Sequence, residues 1–259
     1  MTEFHRLPSK HDEQHSEQWE KLNTEAEIRA KKEPTAPMPD LDHLTSDDFQ
    51  HVYEPASDTF LLIDAIQYEL RSGLFRDRLE PVIALELGCG TAVPSVFLRR
   101  HWQDVKYFRP TLLSFATDVN PRALEVAQST VKIADPHPHF FEFVRCDLAS
   151  SLLNGLHRRV SILLFNPPYV STPDEEVGGV DIEASWAGGK NGRRVIDRAI
   201  SQIEHLLEKP YGMAYLVTVE DNNPFELAQR FQQLGLKMRP LLRRKAFNER
   251  LTIQKVEWI

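Results

Sequence analysis

Asn166-Pro167-Pro168-Tyr169 follows an apolar run, Ser161 to Phe165, and gathers the parts needed to hold a flat NH2 group. Consecutive prolines fix an extended backbone with no N–H to donate, leaving the Pro167 carbonyl free of a ladder role. The Asn166 side-chain oxygen and that carbonyl can accept both hydrogens of one planar amino group while Tyr169 stacks on its face. The bland alternative is a rigid surface turn. Three constellations precede it. Glu86-Leu87-Gly88-Cys89-Gly90-Thr91-Ala92 ends another apolar run, and Gly88 and Gly90 allow close backbone approach to a ligand. Asp118 stands about 30 residues on, where an acid can accept both ribose hydroxyl protons of a nucleoside. Asp147, in Arg145-Cys146-Asp147-Leu148, can meet an adenine amino group, with Leu148 supplying a backbone amide and an apolar edge. A tight turn, an exposed cap and a strand terminator are the respective structural alternatives.

These residues need strand ends to hold them. Val82 to Leu87, bounded by Pro81 and Gly88, reads as a buried strand, followed by a helix with Pro94 in its first turn. Leu112 to Thr117 is a second strand, and Asn120 caps a helix that opens with Pro121. Phe140 to Val144, Ser161 to Phe165 and Met213 to Thr218 are three more strands, with helices over Val195 to Leu207 and Pro224 to Leu234. Leu236 to Leu242 pairs with Arg250 to Ile259. A further helix, capped by Ser57 or Asp58, precedes them all and puts Leu61, Leu62, Ala65, Ile66 and Leu70 on one face. The alternation predicts an α/β fold with a mostly parallel sheet covered by helices on both faces.

The 259 residues are 27% charged and 41% hydrophobic, which excludes fibrous and wholly disordered classes. The net charge of −7 is uneven: residues 1–50 hold 12 acidic and 6 basic side chains, leaving 26 acidic and 25 basic among the rest. Acidity therefore does not argue against any partner of the folded part. Residues 1–48, polar and carrying Pro34, Pro37 and Pro39, are expected to be a mobile arm, and 49–259 a single domain. Gln18 to Lys32 reads as a transient polar helix with nothing to bury. No apolar run suits a membrane span and the N-terminus suits no signal peptide, so a cytoplasmic or nuclear location is expected. Cys89 and Cys146 make neither a disulfide framework nor a zinc site, and no metal site is expected in this chain.

Glu86-Leu-Gly-Cys-Gly, Asp118, Asp147 and Asn166-Pro-Pro-Tyr, in this order, resemble class I S-adenosylmethionine-dependent methyltransferases that modify planar nitrogen. Val52-Tyr53-Glu54-Pro55-Ala56-Ser57-Asp58-Thr59-Phe60 and Ala184-Ser-Trp-Ala-Gly-Gly-Lys-Asn-Gly-Arg resemble the eukaryotic HemK-like glutamine methyltransferases within that class, from about Val52 to the C-terminus. The resemblance implies a Rossmann-like fold with a seven-stranded sheet. It also implies methylation of the glutamine in the Gly-Gly-Gln loop of class-one translation termination factors. On this basis Thr59, Glu86, Gly88, Gly90, Asp118, Asp147, Leu148 and Asn166 line the S-adenosylmethionine site. Asn166, Pro167, Pro168 and Tyr169 hold the substrate amide, with Asn166, Pro167 and Tyr169 catalytic. Ala92 replaces a glycine often seen there, and His101 to Arg109 make a longer connection than usual.

The glycines between Glu175 and Arg194 are expected to form a groove wall for the small Gly-Gly-Gln backbone, with Trp186 as apolar anchor. The alternative there is a flexible loop with Trp186 in the core. The family also implies a small zinc-binding activator subunit. The apolar segment Phe140 to Val144, an unpaired sheet edge in this class, is its expected docking strand unless the tail covers it. The exocyclic amine of adenine in DNA is the rival substrate, but Arg193-Arg194 and Arg239 to Lys245 are short basic patches without a recognition domain. Histone lysine is a third possibility, and the motif supplies it no base. A catalytically silent binding module would have no need of both Asn166 and Asp118.

Overall fold

A computed structural model describes residues 10–76, 78–103, 109–135 and 138–259. Seven strands, β1 (Val82–Leu87), β2 (Leu112–Asp118), β3 (Phe141–Arg145), β4 (Ile162–Phe165), β5 (Met213–Thr218), β6 (Leu236–Ala246) and β7 (Glu249–Trp258), form one sheet. Their order is β3-β2-β1-β4-β5-β7-β6, and only β7 runs antiparallel to its neighbours. The helices are α1 (Lys10–Lys32), α2 (Ser57–Arg71), α3 (Val93–Trp102), α4 (Pro121–Ala134), α5 (Arg194–Leu206) and α6 (Pro224–Gln233). Asn120 caps α4 as expected, its side chain accepting from the Arg122 amide.

Alternation of side chains across the pleat splits the core into two layers. Ala84 of β1, Leu164 of β4 and Val217 of β5 pack with Leu61, Leu62 and Ala65 of α2 and Phe97 of α3. Leu85, Leu163 and Leu216 face the other way, onto Ile196 and Ile200 of α5 and Leu227 and Phe231 of α6. Burying such a side chain is worth about 1.5–3 kcal/mol, so both helical layers are held to the sheet. Because β1 pairs with both β2 and β4, the strand order reverses there, and the crevice beyond the carboxyl ends of these strands is the place for a ligand.

The N-terminal segment departs from expectation. Residues 1–9 lie outside the described part, but from Lys10 the chain forms α1 and packs on β6. Ala26 and Ala30 are buried, Arg29 donates to the Leu241 carbonyl at 2.5 Å, and Glu27 lies 3.4 Å from Arg243. The two alanines let the helix approach a strand closely while charged neighbours bond its rim. Beyond it the Ala36 amide donates to Asp64 at 2.7 Å, and Val52 packs on Ala123 and Val126 of α4. The start of α2 differs too: its N-cap is Ala56, with no side-chain cap bond, and Asp58 turns inward. Within the long connection, residues 104–108 lie outside the described part. Arg109 at its end is buried and donates to the carbonyls of Leu70, Leu74 and Trp102 at 2.6, 2.9 and 3.0 Å.

Candidate active site

The pairing register sets Leu87 between Thr117 and Phe165, so the turns after β1, β2 and β4 open into one cleft. Its volume is about 360 Å3, within the range of small-molecule sites. Thr59, Glu86, Gly88, Gly90, Asp118, Asp147, Leu148, Asn166 and Pro168 line it. Gly88 and Gly90 hold φ of 60° and 50°, the left-handed region that favours glycine. Ala92 takes φ 57° at the N-cap of α3, so the missing glycine is replaced at the cost of local strain.

Asp118 accepts from the Gly90 amide at 3.0 Å and the Asn120 amide at 2.9 Å, one on each carboxylate oxygen. Burial pushes its carboxyl up while these amides pull it down. Glu86 is buried, accepts from the Ser95 amide at 3.2 Å, and is pushed up to about 8, chiefly by burial. Asp147 lies past the end of β3 at the cleft rim, ion-paired with Arg198 of α5. Leu148 beside it is buried, with φ 50°.

At the end of β4, the Asn166 Nδ2 donates to the Asp58 carboxylate at 3.1 Å, which fixes Oδ1 as the acceptor end of the amide. That Oδ1 is buried and has no hydrogen-bond partner among the described residues. The Pro167 carbonyl likewise accepts no bond from the described residues. Tyr169 does not line the cleft: its hydroxyl donates to Asp58 at 3.2 Å and its ring packs against both core layers. Tyr53 donates to the same carboxylate at 3.2 Å, and burial with Asp58 behind it pushes both phenols up. Asp58 is thus the hub of the site, and nothing in its local sequence singled it out from a helix cap.

The glycine-rich segment is arranged differently from the expected groove. Gly178 and Gly179 line the cleft, but Gly188 and Gly192 press on the chain's own Asn166–Tyr169 turn. A Cβ on Gly188 would lie 2.4 Å from the Pro168 carbonyl oxygen, and one on Gly192 1.7 Å from that of Tyr169. Their smallness therefore packs the chain's own backbone. Trp186 is half-buried beside the cleft wall formed by Ser185 and Ala187, without lining it. Its carbonyl accepts from the Val170 amide at 3.1 Å, so the backbone at Trp186 anchors the segment. A second residue outside the sequence reading, the buried Asn222, donates to the carbonyls of Tyr169 and Asn191, each at 2.9 Å. Among the described residues no cluster of metal-ligating side chains occurs.

Comparison with known proteins places this arrangement. No family model matches the chain. The methyltransferase HEMK2 of Mus musculus is 40% identical over 220 residues, 85% of this chain and 96% of that protein. The eRF1 methyltransferase catalytic subunit mtq2 of Schizosaccharomyces pombe is 30% identical over 217 residues, 81% of this chain and 90% of that one. Among solved structures, the Mtq2–Trm112 complex of E. cuniculi, responsible for methylation of the eRF1 termination factor, is 33% identical with a TM-score of 0.56. That match covers 80% of this chain and 99% of the other.

Proposed function

This chain belongs to the HEMK2 family of methyltransferases, and from that membership we propose that it N-methylates the glutamine amide in the Gly-Gly-Gln loop of a class-one translation termination factor. One observation carries the substrate assignment: the buried Asn166 Oδ1 has no partner among the described residues while its Nδ2 is tied to Asp58. A buried acceptor left bare costs about 1–3 kcal/mol, and an incoming N–H removes that cost. With the Pro167 carbonyl it offers two acceptors to the two hydrogens of one amide nitrogen.

The cleft fits S-adenosylmethionine by its donor set. Asp118 keeps a lone pair on each oxygen for vicinal ribose hydroxyls, Glu86 suits the ammonium of the methionine moiety, and Leu148 gives an apolar edge to adenine. When bound, the cofactor supplies an electrophilic sulfonium methyl. The chain's own part is positioning. Asn166 and Pro167 orient the amide nitrogen, whose lone pair is otherwise delocalised into its carbonyl. Tyr53 and Tyr169 stay protonated, so they brace Asp58 rather than act as bases. The nitrogen sheds its proton once it is cationic and needs no strong base.

Asn166→Ala is expected to lower kcat about 100-fold or more while cofactor affinity stays within a few fold, checked by single-turnover transfer and calorimetry. Near-normal turnover would remove the amide-binding role. A small zinc-binding activator is proposed to add to the outer edge of β3, the first strand of the sheet. Phe143 there is half-exposed and Phe140 just before it is 41% exposed, whereas Phe141 is buried under α4.

A further inference from the structure

The hairpin joining β6 to β7 carries a feature the fold does not need. Ala246 pairs with Glu249, so Phe247 and Asn248 form a two-residue loop. Positive φ falls on the first of them, Phe247, at 50°, a place in such loops that favours glycine. The phenylalanine is 92% exposed, so it adds nothing to the core while bearing backbone strain. Two of the hairpin's charges are engaged, Arg244 with Asp64 at 2.8 Å and Arg250 with Glu220 at 3.6 Å.

The hairpin extends past the end of β5, where Thr218 pairs with Thr252, on the side of the sheet that carries the Asn166–Tyr169 turn. Glu220 belongs to the same short turn as Asn222, whose side chain holds the Tyr169 carbonyl at 2.9 Å. The Glu249 charge reaches both Tyr53 and Tyr169 and helps push their phenols up. Val170, directly after Tyr169, is 37% exposed.

We infer that Phe247 is a docking finger for the protein substrate, entering an apolar pocket of the folded termination factor while its glutamine loop reaches Asn166. This rests on the glutamine reading and deepens it, since recognition then extends to the surface of a folded protein. Aromatic side chains are enriched at protein–protein interfaces, where a phenyl ring buries a large apolar area against its partner.

The test is Phe247→Gly in the full chain, co-expressed with its activator, with the intact termination factor as substrate. Glycine suits the backbone, so the Tm should not fall. KM for the factor is expected to rise about tenfold with kcat within twofold. An unchanged KM overturns the inference. So does loss of the activator or of a self-associated form at unchanged KM, which would give the finger to those partners. Absence of any transfer by the unmodified enzyme would instead sink the glutamine reading, and the inference with it.

Discussion

Asp58 binds four site side chains at once, Tyr53, Thr59, Asn166 and Tyr169, and also accepts from the Thr59 amide at 2.7 Å. Removing it frees the Asn166 amide to turn over, so Asp58→Ala is expected to lower kcat about 10- to 100-fold with cofactor affinity within a few fold. Single-turnover rates against calorimetric affinity would separate this from general unfolding. Glu86 gives a pH signature. Its folded carboxyl sits near 8, above the ordinary value of 4.5, so its stabilising contribution is whole below about 4.5 and is lost as pH rises through about 8. An ammonium beside it lowers that value, so cofactor binding near pH 7 should release a proton. Heats measured in buffers of different ionisation enthalpy would reveal it, and buffer-independent heats would contradict it. Glu86, Asp118 and Asn166 were legible in sequence because each ends or closes an apolar strand. Asp58 was not, because its role exists only through a contact 108 residues away.

Elements decide how firmly the Asn166–Tyr169 turn is held. Gly188 and Gly192 allow the segment after the turn to fold back against it, and Asn222 fastens the two backbones from beyond β5. Gly192→Ala forces a methyl group into the Tyr169 carbonyl and should cost several kcal/mol and most activity, read by thermal unfolding and turnover together. The strands and most helices were legible from apolar runs punctuated by glycine and proline. The use of the glycines was not, because glycine-rich composition suits an open groove and a self-packed loop equally. Helix α1 was misread for a related reason: its charge count hides Ala26 and Ala30, the small pair that seats it on β6. Deleting residues 1–33 should uncover that strand and lower the Tm by about 5–10 °C, with cofactor affinity unchanged.

At the scale of the whole molecule, one reversal of strand order gathers carboxylates suited to a cationic cofactor and the Asn166 acceptor suited to an amide into the same cleft. The cofactor half of that site is shared by many chemistries on this fold, so the substrate assignment rests on the Asn166–Tyr169 turn and on family membership. The most direct measurement is transfer of a labelled methyl group, by this chain with its activator, to an intact class-one termination factor and to the variant whose loop glutamine is arginine. Label on the first and none on the second is the predicted result. Equal label on both would move the acceptor away from the glutamine and contradict the account.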